Sequence, residues 1–325
     1  MMKKLFLVTI VCLVMAPFSG HAHNVNIPKN IDELMLTKMT DSVYVIHGIQ
    51  GMPDKSNKGF ISNSGFVVSD EGVVIIDSGG SLEVGEMLLQ KIREVTDKPV
   101  LAVFNTHLHG DHWLGNAAVR KAYPNVRIYA HERAIERLKA GEADQWMDIF
   151  GQAMDKSVLG AKAVLPDTAL KGGETIEIAG NSYNTHHTGH AHTDNDIMIE
   201  YPADKTLFAG DIVITGSVVS AARPEDFSAK GQIAALEYAL KLPVDIYVPG
   251  HGPTGGREIP QATKRFLEVL YESVQTYYDE GLADFEMRDK VVADLKEEFS
   301  DWSGYDGIGR LISFVYQQIE AAEFE

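Results

Sequence analysis

Three histidines and an aspartate fall within six residues in Thr106-His107-Leu108-His109-Gly110-Asp111-His112, in a chain of 325 residues that has only 12 histidines. Imidazole nitrogen and carboxylate oxygen are the donors that hold zinc and similar divalent ions, so this crowding points to a metal site. In an extended stretch, side chains two apart point the same way, and His107 and His109 can share one ion. Gly110 then lets the chain turn, so that Asp111 and His112 face a second ion beside the first. The plainer reading is a polar helix start: Asp111 could cap a helix beginning near Trp113, but capping needs none of the three histidines. Three later segments set similar donors beside apolar runs. Gly189-His190-Ala191-His192-Thr193-Asp194-Asn195-Asp196 precedes Ile197-Met198-Ile199, Ala209-Gly210-Asp211 closes Thr206-Leu207-Phe208, and Pro249-Gly250-His251-Gly252 closes 245–248. By residue type alone, His190 and His192 are equal candidates.

Such donors need strands to present them. Pro99 introduces Val100-Leu101-Ala102-Val103-Phe104, the continuous apolar run of a strand buried on both faces, and the histidine cluster follows it directly. Upstream, 34–39 and 43–47 read as strands, and 65–69 and 73–77 as a hairpin turning at Asp70-Glu71-Gly72. Ser81 is placed to cap a helix running to about Thr96, with Val84, Met87, Leu88 and Ile92 at helical spacing. Further strands are expected at 126–130, 174–179, 182–187, 196–201, 205–209 and 245–248, and helices near 113–122, 131–139, 143–157 and 229–241. From Pro260 the pattern becomes long amphipathic helices at 261–279, 285–299 and 308–322. Residues 52–64 are polar and marked by Gly and Pro. They read as a mobile loop over the metals, whose deletion would change substrate affinity more than metal content. The organisation expected is a leader (1–22), an α/β domain (23–259) and a helical extension (260–325).

Composition narrows the functions. The 46 Asp and Glu outnumber the 29 Lys and Arg, a formal charge of −17, which repels nucleic-acid phosphates and anionic lipid. Lys3 and Lys4, the apolar stretch 5–18 and Gly20-His21-Ala22 have the layout of a bacterial secretory leader cleaved after about Ala22. Cleavage would remove Cys12, the only cysteine, so the mature protein would use no thiolate as ligand or nucleophile. Periplasmic or secreted localisation follows, with no membrane association once the leader is cut.

His-x-His-x-Asp-His after a buried strand resembles the signature of the metallo-β-lactamase superfamily of hydrolases, and the later motifs follow in that family's order over roughly residues 34–255. The resemblance implies a four-layer αββα sandwich with a dinuclear metal site at one edge, here with a C-terminal helical extension. In the family pattern the third histidine precedes Thr and lies five residues before the middle of an apolar strand, which selects His192, with Thr193 and Ile197, over His190. The ligand sets implied are His107, His109 and His192 for one ion and Asp111, His112 and His251 for the other, with Asp211 bridging. Two zinc ions suit these donors, and manganese or iron would fit in places. A hydroxide held between the ions would attack a carbonyl, and Asp111 is the catalytic candidate to orient it and carry a proton to the leaving group. Asp77, before Ser78-Gly79-Gly80, sits where the family often has a supporting carboxylate; satisfying the following turn is its other role.

The function implied is an exported zinc hydrolase acting on a small molecule through an ester, thioester, lactone or amide carbonyl, β-lactams included. Cysteine-bearing β-lactamases have a cysteine where Asp211 stands and a nearby lysine, whereas 212–222 contain no lysine and Arg223 is a weak substitute. Asp211 instead resembles the bridging carboxylate of glyoxalase-, lactonase- and phosphodiesterase-like members. The segment 308–320 is similar to the C-terminal helix of exported zinc hydrolases associated with quinoprotein relay systems. An iron-dependent sulfur dioxygenase and a zinc-binding protein without turnover are the alternatives. The helical extension could lid the pocket or form a dimer interface.

Overall fold

The computed structural model describes residues 31–218 and 223–323, so the segment 1–22 expected to be a leader, with Cys12, lies outside the described residues. Its first sheet follows chain order through β1 (Leu36–Lys38), β2 (Val43–Ile46), β3 (Ser64–Val68), β4 (Val73–Ile76), β5 (Val100–Phe104), β6 (Arg127–His131) and β7 (Thr168–Leu170). The strands are antiparallel from β1 to β4 and parallel from β4 to β7. Parallel pairs need crossovers, and these are helical: α1 (Leu82–Arg93), then α2 (Gly110–Trp113) with α3 (Asn116–Ala122), then α4 (Glu132–Arg137) with α5 (Ala143–Ala153). The second sheet has the order β12-β11-β10-β9-β8, from β8 (Thr175–Ile178), β9 (Asn181–His186), β10 (Met198–Tyr201), β11 (Thr206–Ile214) and β12 (Ile246–His251). The β11–β12 pair is parallel, joined across α6 (Ala229–Ala239), and α7 (Glu258–Asp279), α8 (Asp284–Phe299) and α9 (Gly309–Ala322) follow.

Alternation of side chains produces the layers. Val73 and Ile75 of β4 face Val84 and Leu88 of α1, while Val74 and Ile76 face the second sheet, meeting Ile199, Phe208 and Val248. On the far side of that sheet, Met198, Leu207 and Tyr247 pack against Leu236, Phe266, Leu270, Val291 and Ile312. The result is helices, sheet, sheet, helices: the αββα sandwich with its helical extension. The extension shares one apolar cluster with the second sheet. Among the described residues no helix is long and apolar enough to cross a membrane.

Several elements depart from the periodicity. The helix expected at 113–122 is two pieces, α2 starting inside the histidine motif at Gly110 and α3 restarting at Asn116. β11 runs on to Ile214 rather than ending at 209, so Asp211 lies within the strand. β7 is only three residues long, too short for a period to declare itself. The loop 52–64 is not mobile throughout. Phe60, Ser62, Asn63 and Ser64 are buried, and the Asn63 amide donates to the carbonyls of Pro249 (2.8 Å) and Gly252 (2.9 Å), on either side of His251. Ser62 donates to the Asp111 carbonyl at 2.6 Å. Deleting this loop would therefore disturb the metal ligands themselves, contrary to the expectation that substrate affinity would change more than metal content.

Candidate metal centre

The motif leaves β5 at Phe104 and is pinned between the two sheets. Thr106 O accepts from Ile197 N–H (2.8 Å), Leu108 N–H donates to Asn195 Oδ1 (3.1 Å), and Trp113 Nε1–H donates to Leu108 O (2.8 Å). Asp111 and His112 stand in the short α2, where Asp111 caps nothing and turns inward. Asp211 enters from β11 where its pairing with β12 slips between Phe208, Gly210 and Ile214. Gly210 takes a left-handed φ of 53° there. At Gly250 a Cβ would come 1.9 Å from Asp211 Oδ1, so glycine is what leaves room for the carboxylate.

The seven expected residues converge. Donor atoms of His107, His109, His192 and Asp211 lie within 4.8 Å of one another, and those of Asp111, His112 and His251 form a second such group. The Asp211 carboxylate reaches both: Oδ2 is 3.3 Å from His192 Nε2, 3.3 Å from His251 Nε2 and 3.9 Å from His107 Nε2, and Oδ1 is 3.2 Å from His112 Nε2. Asp111 Oδ2 lies 3.2 Å from His251 Nε2 and 3.4 Å from His112 Nε2. His109 turns its Nδ1 inward, 3.1 Å from His192 Nε2.

The outward nitrogens of His112, His251 and His107 are held from behind, which orients those rings. His112 Nδ1–H donates to Asp77 Oδ2 (2.8 Å), and that carboxylate also accepts from the Thr106 N–H and hydroxyl, both at 2.8 Å. Asp77 thus satisfies the turn and supports a ligand at once. His251 Nδ1–H donates to Ile61 O (2.8 Å), again from the loop 52–64. His107 Nδ1 lies 3.1 Å from the Thr106 hydroxyl. His109 Nε2 faces the fully buried Asp226 at 3.9 Å, and Asp226 is held by Arg137 at 2.6 Å, itself bound to Glu142 and Asp194. Asp226 and Arg137 belong to no motif, so nothing in the sequence singled them out.

These residues fit a divalent cation pair. His107 Nε2, His112 Nε2 and Asp211 Oδ1 are buried and make no hydrogen bond, which is costly for polar atoms unless a cation satisfies them. Burial, with His112 nearby, keeps the His107 imidazole well below its usual pKa, and burial takes His192 down to about 3, so both offer neutral lone pairs. Burial would also lower His251 and His112. Asp211 and Asp111 reverse this, raising His251 to about 10 and His112 well above its ordinary value. Two buried carboxylates at the centre call for positive charge.

Other candidates fall outside the cluster. His190 is exposed and its Nε2–H donates to Asp226 O (2.7 Å). His186 sits between Glu200 and Tyr238, and His187 stacks on His131. His47 is buried against Thr254 (2.9 Å), and Arg223 binds Glu142 (2.8 Å). Over the ligands opens a cavity of about 460 Å³, with His109, Asp111, Asp211 and His251 in its lining. Trp146 stands in its wall, 5.0 Å from the His109 ring.

The family model described as the metallo-beta-lactamase superfamily matches residues 57–251. The chain is similar to the linear primary-alkylsulfatase of Pseudomonas sp. (strain ATCC 19151), 24% identical over an alignment of 269 residues that covers 69% of this chain and 49% of that protein. It is similar to the metallo-beta-lactamase type 2 of Bacteroides fragilis, 21% identical over 245 residues, 74% of this chain and 88% of that one. A solved double mutant of the sec-alkyl sulfatase PisA1 superposes with a TM-score of 0.67 at 18% identity, covering 88% of this chain and 50% of that chain. The chain spans about half the length of these two sulfatases.

Proposed function

The chain belongs to the metallo-beta-lactamase superfamily and is a metal-dependent hydrolase, and on that footing we propose an exported dinuclear zinc enzyme that cleaves an ester, thioester, lactone or amide, β-lactams included, at its carbonyl. The observation that carries the reading is the Asp211 carboxylate, within 3.2–3.9 Å of imidazole nitrogens from both ligand groups and open to one cavity. His107, His109 and His192 would hold one ion, Asp111, His112 and His251 the other, and Asp211 both. When bound, such ions supply an acidified water and Lewis acidity toward a carbonyl oxygen. The protein's own contribution is placement. Asp111 lines the cavity with Oδ2 toward His251 and His112, where it can accept a proton from the attacking water and return it to the leaving group. The leader at 1–22 supports export to the periplasm or the medium, which the N-terminal residue of the mature protein tests.

A zinc-supplemented screen of esters, thioesters, lactones and β-lactams tests the function, with metal analysis of protein purified without added metal. Alkyl sulfates join the screen because a relative is named for that activity. Two zinc per chain and carbonyl hydrolysis that falls by at least about 10²-fold in Asp211→Ala are expected. One iron per chain with sulfur oxidation would establish the dioxygenase, sulfate cleavage alone would move the reaction to sulfur, and bound zinc without turnover would leave a binding protein.

A further inference from the structure

The cavity over the ligands has walls of unlike origin. Trp146, Ile149 and Phe150 of α5 stand on one side, and Leu311 and Phe314 of α9, in the C-terminal extension, on another. Met52, from the loop before β3, also lines it. The ligands and Arg310 supply the charged groups of the lining; Gln50, Ser217 and Ser303 add neutral polar ones, and most of the other side chains are hydrocarbon or aromatic. Among the described lining residues Arg310 is the one Lys or Arg, and its guanidinium lies over the Phe314 ring at 5.2 Å. Exposure adds an independent observation. Met52 is 78% and Ile149 48% exposed, two of only five large apolar side chains so exposed among the described residues, and both line this cavity. Isolated exposed apolar residues mean little, but two flanking the mouth of one apolar cavity mark a surface that gains by being covered.

Resting on the hydrolase reading above, we propose that the substrate carries a medium-length linear hydrocarbon chain on its scissile group, lying between α5 and α9 under Met52, so that the C-terminal extension sets chain-length preference. The sandwich presents the metal ligands and α5; α9 supplies the facing surface. An uncharged chain suits a wall whose charged groups are confined to the ligands and Arg310. The chain could belong to the acyl half or the alcohol half of the substrate, and the structure names what the two share.

The test separates binding from turnover. The full chain as purified, with its metal retained, is titrated with 1-butanol and 1-octanol, neither of which it can hydrolyse, while tryptophan fluorescence is followed, with Trp146→Phe identifying the signal from the cavity. Each added methylene is expected to tighten binding roughly fourfold, so octanol should bind about 250-fold more tightly than butanol. In the Met52→Ser/Ile149→Ser double variant that ratio should fall at least about tenfold, since exposed positions alter the mouth without touching the core. On the same protein, p-nitrophenyl acetate to octanoate and butyl to octyl acetates show which half carries the chain, through falling KM along one series. Octanol binding no better than butanol, or a ratio unchanged in the double variant, overturns the proposal whatever the hydrolase screen gives. Tight octanol binding without any carbonyl turnover sustains it and removes the carbonyl reading alone.

Discussion

Asp77→Asn tests how a residue outside the ligand set decides whether an ion stays. Asp77 has a left-handed φ of 59°, a conformation that asparagine adopts as readily as aspartate, so the backbone has no reason to move. In the native protein Oδ1 accepts from the Thr106 N–H, and Oδ2 accepts from the Thr106 hydroxyl and from His112 Nδ1–H, each at 2.8 Å. The variant amide has one oxygen, so one of those places becomes NH2. The Thr106 backbone N–H is a fixed donor, and leaving it buried without an acceptor costs ~1–3 kcal/mol. The amide oxygen therefore stays facing it, and the NH2 turns to the two groups that can change. The hydroxyl rotates to accept. His112 accepts on Nδ1 only by moving its proton to Nε2, the nitrogen 3.2 Å from Asp211 Oδ1 and 3.4 Å from Asp111 Oδ2. A protonated nitrogen is no ligand. Supporting hydrogen bonds of this kind typically account for ~10–100-fold in metal affinity, and the loss should fall on the Asp111/His112/His251 group alone. Competition titration against a chromophoric zinc chelator, with zinc counted by elemental analysis, would show one affinity kept and one weakened by that factor. A folded variant with both zinc affinities unchanged would refute the tautomer argument, and equal weakening of both would show that Asp77 holds the whole turn instead.

Asn63→Ala should lower unfolding free energy by ~2–4 kcal/mol and reduce bound zinc, because it orphans the buried Pro249 and Gly252 carbonyls and the Gly48 N–H beside His251; denaturant unfolding at unchanged midpoint would count against the anchoring role given to this loop. His47 carries a pH signature: burial depresses its pKa from 6.5 to about 4, so the unfolded chain takes up the proton first. That contribution is whole above pH 6.5 and is lost as pH falls toward 4, by up to ~3 kcal/mol. His47→Gln should flatten the stability curve in that window, and an unaltered acid limb in urea titrations would disprove the assignment.

What was legible in the sequence was what periodicity and local donor density can carry. β5 and the motif after it were plain because five apolar residues run directly into four ligand-type side chains. The residues alone leave His190 and His192 equal and the family pattern favours His192; the structure sets His192 in the cluster while His190 faces the Asp226 carbonyl. Illegible were the contacts made by tertiary packing. Asp226 lies 117 positions after His109 in a segment without periodicity, and only the fold brings its carboxylate to that ring. The polar composition of 52–64 reads as a loop for a related reason: Asn57, Ser62 and Asn63 are polar because they bond to buried backbone and ligand segments, not because they face water. Composition records hydrogen-bonding capacity and is silent about who uses it.

The distribution of buried charge then links the centre to folding. Asp226 is neutralised from outside by Arg137 and Arg223, and Asp77 has His112. Among the described residues Asp111 and Asp211 have only imidazoles within ion-pair distance. An ionised carboxylate in such a place needs compensating charge, since its desolvation amounts to several kcal/mol even after relaxation. Without cations the compensation must come from protons on His112 and His251, which is the direction in which both are displaced. Divalent ions replace those protons with charge at the same place and leave the imidazoles neutral, as ligation requires. The slip between β11 and β12 that admits Asp211, and the glycine at 250 that makes room for it, are thus features whose energetic return comes when the metal is bound. Folding and ion binding would be coupled through that one carboxylate, because it is the group whose oxygens lie against imidazoles of both ligand sets.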